Sequence, residues 1–400
     1  MLRISSVLLL VLSLSQHDAA SDSKQKVKAE MDNQIINNRK FGDYGNRSAL
    51  PFTVALQGDV LWPDNPIKMG EICRNTPVHL ALWQNVVVAD CGSEFIVLEK
   101  STGNLQWRQT KYDNAEFDLS EKGIVKISHA ARYEVVGLDG KVKECIPLPA
   151  FLDNSRLLSC NVTGDDVFYL FNYAGSKYVS PGSSPASVNF TFEHMNKESQ
   201  VSMWSRVWRQ EVARWVCFSS DKSMVHIASE NNLYSFPAVV EDDQMVKVRP
   251  FTSIEGLSLN HDDEVLVIEK TEKGRFLHLI DQSNIKMQTI ELDRIGIIIQ
   301  PAASTPDGVI FIAAGKVLYC IDNGNEVWRH PFDSAQKPIL FSVLSDKSVI
   351  SVSGHSVFVT DSEGKLVFEK FVIPEISCRP VVDSDGSCYL GGKNGVVCLR

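Results

Sequence analysis

Beyond residue 50 the chain alternates apolar and polar positions in short runs, and Asp, Asn and Gly break the runs. A period of two places successive side chains on opposite faces of a strand. The breaks hold the residues that tight hairpin turns require. Helical periodicity is almost absent over the same span. The pattern predicts an all-β chain built from consecutive hairpins.

The runs repeat. Residues 86–109 hold an apolar run, a turn, a second apolar run, then Thr102-Gly103, with Trp107 four residues after the Gly. Residues 308–332 repeat this order with Gly324 and Trp328, and residues 348–371 repeat it with Gly364 and Phe368 in the aromatic place. Weaker copies lie between them. Residues 123–148 keep Gly140 but place Glu144 where the aromatic belongs, and residues 224–239 and 264–290 keep only strand, turn and strand. A period of roughly 40 residues is that of propeller blades. Eight units fit, near residues 72–108, 117–148, 157–208, 213–250, 255–292, 298–330, 338–371 and 376–400. The expected architecture is an all-β propeller of eight four-stranded blades.

The last unit is one strand short, since GGKNGVVCLR is a turn and a strand with nothing after it. An unpaired terminal strand is an open edge. The stretch ALQGDVLWPD, ahead of the first unit, carries Gly58 and Trp62 at the same four-residue spacing. Pairing residues about 53–62 with the C-terminal blade would complete it and close the ring. A single propeller domain over 51–400 follows, preceded by a segment of another kind. Residues 1–20 have one early Arg3, an apolar stretch from Ile4 to Leu14 and small residues after it, the layout of a secretory signal peptide. Residues 21–50 are polar and read as a flexible arm.

Export changes how other features read. Asn46, Asn161 and Asn189 each open an Asn-x-Ser/Thr sequon and are candidate glycosylation sites. The nine cysteines (Cys73, Cys91, Cys145, Cys160, Cys217, Cys320, Cys378, Cys388 and Cys398) include no adjacent pair and no C-x-x-C. That excludes zinc-ribbon, thioredoxin-like and covalent-haem patterns. The expected location is secreted, lumenal or periplasmic. A net charge of -9 gives no electrostatic basis for nucleic-acid binding. No segment after the leader reads as a membrane span.

The Thr102-Gly103 and Trp107 set, with the Gly324/Trp328 and Gly58/Trp62 pairs, resembles the repeats of the pyrroloquinoline-quinone (PQQ)-like β-propellers. That family's pattern runs strand, turn, strand, Asp, Thr-Gly and then Trp. The resemblance spans residues 51–400, strongly in three or four units. It implies eight blades, with each Trp packed between neighbours and each Gly freeing the turn that delivers it. The quinone-dependent alcohol and sugar dehydrogenases of the family stack their cofactor beneath a disulfide of adjacent cysteines and bind calcium. This chain has no Cys-Cys pair, so no cofactor and no metal are expected. Family members without the cofactor set are mostly interaction scaffolds. They include a propeller lipoprotein that helps assemble barrels in bacterial outer membranes and a lumenal unfolded-protein sensor.

The residues show no catalytic order of their own. Asp90, Asp139, Asp322 and Asp361 sit in or beside turns, where hairpin chemistry accounts for them. No G-x-S-x-G elbow occurs, and His129, His261, His278 and His355 are scattered without ligand spacing. Residues 172–200, rich in Ser, Gly and Pro, read as a long loop. After it, Trp204, Trp208 and Trp215 interleave with Arg206, Arg209 and Arg214. Trp208 and Trp215 suit blade packing; Trp204 has no place in the repeat. Trp and Arg dominate interface hot spots, so Trp204, Arg206 and Arg209 are the candidate interaction residues. The expected function is a binding scaffold for another protein or an extracellular ligand. The competing reading is a quinoprotein-like or other enzyme that uses the central channel.

Overall fold

A computed structural model describes residues 60–62, 79–92, 94–110, 116–120, 123–128, 132–147, 155–163, 166–174, 188–199, 202–239, 246–281, 287–292, 297–298, 300–372, 375–392 and 395–400. These residues form strands and turns, with no helix among them. Strand β1 (Val60–Trp62) stands ahead of the first sheet. Blade 1 is β2 (His79–Trp83), β3 (Val86–Asp90), β4 (Glu94–Glu99) and β5 (Leu105–Thr110). Blade 2 is β6 (Glu116–Ser120), β7 (Gly123–Ser128), β8 (Arg132–Val136) and β9 (Val142–Pro147). Blade 3 is β10 (Ser155–Thr163), β11 (Asp166–Ala174), β12 (Val188–Asn196) and β13 (Ser202–Arg209). Blade 4 is β14 (Trp215–Phe218), β15 (Met224–Ala228), β16 (Asn232–Pro237) and β17 (Lys247–Pro250). Blade 5 is β18 (Ile254–Leu259), β19 (Val265–Thr271), β20 (Gly274–Ile280) and β21 (Met287–Leu292). Blade 6 is β22 (Ala303–Ser304), β23 (Ile310–Ala314), β24 (Val317–Asp322) and β25 (Asn325–Pro331). Blade 7 is β26 (Leu340–Val343), β27 (Val349–Ser353), β28 (Ser356–Thr360) and β29 (Leu366–Phe371). Blade 8 takes β30 (Val381–Val382), β31 (Cys388–Gly392) and β32 (Gly395–Leu399) from the C-terminus.

Every sheet has four antiparallel strands, and together they make an eight-bladed β-propeller. Blade 8 runs β30, β31, β32 and then β1, so both ends of the chain share one sheet. Val60 pairs with Leu399 and Trp62 with Cys398, with a bulge between the two pairs. Strand β1 thus covers the backbone edge that β32 would otherwise present. Of the expected closing segment, only 60–62 lies inside the described residues; Gly58 lies outside them.

The first strands of neighbouring blades touch one another, which places them around the axis. The core then forms between blades. In blade 1, Ala81, Val86, Val88, Phe95 and Val97 meet Ile124 and Val136 of blade 2. Leu80, Leu82, Val87, Ile96 and Leu98, on the other face, meet Tyr389, Leu390 and Val397 of blade 8. Strands β2, β3, β31 and β32 are therefore buried along their whole length. Half-buried alternation, the expectation from a period of two, holds only in the outermost strands, such as β29. The reason is geometric: each inner strand lies between two sheets, and only the rim meets water on one side.

Candidate functional site

The contact that joins outer strands to the next blade is the repeated Gly–aromatic pair. Trp107 on β5 donates its indole Nε1 to the Leu138 carbonyl of blade 2 at 2.7 Å. Its ring lies over Gly140, where a Cβ would sit 3.3 Å from the ring carbons. Trp328 on β25 donates Nε1 to the Ser362 carbonyl of blade 7 at 2.9 Å. Its ring covers Gly364, and a Cβ there would come within 2.5 Å of Cδ2. Gly140 and Gly364 have φ of 72° and 80°, in the left-handed region that favours glycine. Each Gly thus serves the aromatic of the preceding blade, in addition to shaping its own turn. Gly324 receives Gln288 of blade 5 in the same way. Phe368 packs against the cluster shared with blade 8.

The remaining repeat residues have turn roles. Thr102 Oγ1 donates to Glu99 Oε2 at 2.7 Å and accepts from the Asn104 amide at 3.1 Å. Gly103, at φ 71°, donates its amide to the Glu99 carbonyl. Trp107 and Trp328, expected to pack between blades, do so half-buried because the outermost strand runs along the rim. Strand β1 carries Trp62, whose side chain lies outside the described residues.

Blade 3 departs from its neighbours. Strands β10, β11 and β12 have nine residues each, against four to seven in blades 4 to 7 apart from the two-residue β22. The expected 172–200 loop is corrected accordingly: 188–196 is strand β12, paired with both β11 and β13. Long apolar strands with Phe190 and Phe192 facing the core outweigh the loop-like composition around them.

The outer strand β13 separates its side chains by parity. Trp204 and Arg206 point inward and are buried, so neither offers the surface contact expected of it. Trp204 packs 5.6 Å from Phe192 and 5.9 Å from the His194 ring. The Arg206 guanidinium lies over the Trp204 and Phe236 rings at 5.2 and 5.0 Å. A cation stacked on two aromatics in a water-poor seam is a cation–π arrangement, which lets the strand bury an arginine. Trp208 stacks on Phe190 at 4.6 Å and joins blade 4 through Tyr234 and Phe236. Arg209 is exposed, as a contact residue must be.

The solvent side of β13 is Met203, Ser205, Val207 and Arg209, with Val212 just beyond the strand. Met203 is 57% exposed and Val207 49%. Residue type pointed to Trp204, Arg206 and Arg209; the alternation along the strand keeps Arg209 and puts Met203, Ser205 and Val207 in place of the other two. Around the strand, His194 Nε2 meets Asp166 Oδ1 at 2.7 Å, and Lys197 is ion-paired with Glu144 of blade 2. Beyond β13, Tyr234 donates its hydroxyl to Glu211, and burial first, then that carboxylate, push the phenol pKa upward. Of the sequons, Asn189 is buried with its Oδ1 accepting from the Gln210 amide at 3.0 Å, so the folded chain presents no acceptor amide there. Asn161 lies in β10 and Asn46 lies outside the described residues.

A quinone with its calcium, which the resemblance raises, calls for oxygen ligands and a stacking platform. Among the described residues no group of three or more His, Cys, Asp or Glu side chains could hold a metal ion. The sequence also lacks the adjacent cysteines of that site. Asp90, Asp139 and Asp361 accept backbone amides of their own turns. Among the described residues no helix is long and apolar enough to cross a membrane.

No family model matches the chain, and no curated protein matches it. Solved structures do. The chain is similar to the quinohemoprotein alcohol dehydrogenase of Comamonas testosteroni, with a TM-score of 0.63 at 9% identity over 94% of this chain and 81% of that one. It is similar to BamB from Moraxella catarrhalis, with a TM-score of 0.53 at 12% identity over 87% of this chain and 99% of that one. Sqt1 of Chaetomium thermophilum gives a TM-score of 0.56 at 12% identity, over 81% and 93%. At such identities the likeness concerns the fold: an enzyme and proteins not titled as enzymes share this ring of blades.

Proposed function

We propose that this chain is an exported, PQQ-like propeller that acts as a binding scaffold and takes a protein partner along the outer strand of blade 3. The observation that supports this reading is the solvent side of β13, where Met203 and Val207 stand exposed beside Arg209 and Val212. Exposed apolar side chains flanked by arginine are the material of interface hot spots. The opposite side of the same strand is locked into the aromatic seam with blade 4, so the face is held rigid and loses little entropy on binding.

Native capture with the tagged chain tests the reading. Met203→Glu with Val207→Glu should abolish recovery of the partner that wild type captures and leave the melting temperature unchanged. Blade 7 carries a rival pair, Val367 and Phe371, on β29. If Val367→Glu removes the partner and the β13 variant retains it, blade 3 is the wrong face. Export is tested separately: secretion of a tagged chain should yield an N-terminus trimmed near residues 15–20.

A further inference from the structure

Three strands of blade 5 bring together a carboxylate, a histidine and a hydroxyl. His278 on β20 places Nδ1 2.9 Å from Thr289 Oγ1 on β21 and Nε2 2.9 Å from Glu269 Oε2 on β19. The Glu269 Oε1 accepts the Thr252 backbone amide at 2.6 Å, which fixes the carboxylate. His278 is 5% exposed, and Thr289 faces solvent. A carboxylate only accepts, so Nε2 must carry the imidazole proton. Nδ1 is then a bare lone pair, and the Thr289 hydroxyl donates to it. Although burial raises the Glu269 pKa, the Thr252 amide, the Thr252 hydroxyl and His278 lower it further, so the acid is ionised. Burial lowers the His278 pKa against the pull of Glu269, so the ring is neutral near pH 7.

A cation stands alongside. Arg249, on β17 of the facing blade 4, places Nη1 3.3 Å from Met287 Sδ, and Met287 precedes Thr289 by two residues on the same strand face. Phe251 lies 5.4 Å from the His278 ring and Phe276 6.4 Å. The rim between blades 4 and 5 thus offers a polarised hydroxyl, a base held by a carboxylate, a guanidinium and apolar walls. Nucleophile bonded to base and base bonded to an orienting acid is the arrangement that acyl transfer requires.

We propose that Thr289, His278 and Glu269 form an ester-hydrolysing site between blades 4 and 5, distinct from the binding face of blade 3. Thr289 Oγ attacks the ester carbonyl carbon as its proton passes to His278 Nδ1. The carbonyl π bond opens onto oxygen, and the positive charge of Arg249, which acts on His278 from the facing blade, favours that step. When the carbonyl re-forms, the bond to the leaving alkoxide breaks and the alkoxide takes the proton from Nδ1. Water then attacks the acyl-threonine, giving its proton to Nδ1, and Thr289 leaves with that proton. The net reaction is ester plus water to acid plus alcohol.

The probe is p-nitrophenyl acetate with the purified full chain. Wild type should hydrolyse it and carry an acetyl group on the Thr289 peptide when quenched early. Thr289→Val, at an exposed position, should keep the melting temperature and lose roughly 100-fold in kcat/KM, the share of a positioned base. Thr289→Ser should restore turnover. Glu269 and Arg249 are the charged groups that act on His278, the first raising and the second lowering its pKa. Their sum with burial puts the acid limb of the pH profile below the ordinary histidine value. Hydrolysis by Thr289→Val at the wild-type rate, or an acetyl group found only elsewhere, overturns the proposal.

Discussion

Replacing Gly364 with Ala would put a Cβ 2.5 Å from Trp328 Cδ2, 2.6 Å from Cε3 and 2.9 Å from Cγ. No heavy-atom pair tolerates that spacing, so the indole must move. Two costs then add. The first is conformational: φ at this position is 80°, and an L-residue there costs about 1 kcal/mol. The second is the displaced ring, which loses its bond to the Ser362 carbonyl, about 1 kcal/mol, and packing of similar size. The total is about 3 kcal/mol. Gly386 supplies the control within the same molecule. Its φ is 92°, its amide closes the same kind of turn by donating to Asp383, and nothing lies within 4 Å of the Cβ it would gain. Gly386→Ala should therefore cost only the conformational part, about 1 kcal/mol.

Guanidinium unfolding followed by tryptophan fluorescence reads the difference, and a double-mutant cycle sharpens it. In a Trp328→Ala background Gly364→Ala should fall to the cost of Gly386→Ala, because the atoms it would strike are gone. If Gly364→Ala costs no more than Gly386→Ala in the wild-type background, or keeps its full cost without Trp328, the Gly–Trp contact does not hold these blades together.

Removing residues 1–64 should lower the melting temperature and promote association, since it deletes β1 and bares the edge of β32; an unchanged melting temperature would refute closure by this strand. Stability should also fall in acid through His226, whose pKa burial lowers to about 4 despite the nearby Asp263. The unfolded chain protonates this ring near pH 6.5 and the folded chain resists, so stability is full above 6.5, declines to about pH 4 and then levels, a loss of about 3 kcal/mol. His226→Gln should flatten that slope in thermal melts taken from pH 7 to pH 4, and an unaltered slope would assign the loss to other groups. Arg206→Met should be tolerated in melting temperature to within a few degrees, because a well-packed apolar chain can replace a buried cation; a collapse of the fold would show that the charge on the Trp204 and Phe236 rings is required.

The blades most legible in the sequence are those that join by Gly and Trp. That contact needs a residue without a Cβ and a large flat ring, and few residue types do either job. Blade 5 shows why other units were faint: Gln288 covers Gly324 where a Trp would be expected, and a flexible amide leaves no compositional mark. Blade 3 shows a different failure. Residue type marks Trp204 and Arg206 as surface contacts, whereas the parity of β13 turns both inward beside Trp208, which packs toward blade 4 as its place in the repeat requires. The Glu269, His278 and Thr289 group had no trace at all. Three residues on three strands are neighbours only through register, with His278 opposite Thr289 and Glu269 opposite Phe276.

Repetition itself argues about where function can reside. The Gly–aromatic contact fastens β5 to blade 2 and β25 to blade 7, and it leaves the other side of those strands uncovered. Leu105, Val142, Val248 and Val327 stand on four outer strands as single exposed apolar residues, which folded surfaces carry routinely. A residue present on every blade cannot mark one of them. What distinguishes a blade is departure from the repeat, and β13 departs in length and in its inward cation. Blade 5 departs by replacing apolar cross-strand pairs with a polar row that ends in an exposed hydroxyl. Selection for folding alone explains neither change, because an apolar residue at Arg206 or His278 would complete the same interfaces without burying a titratable group.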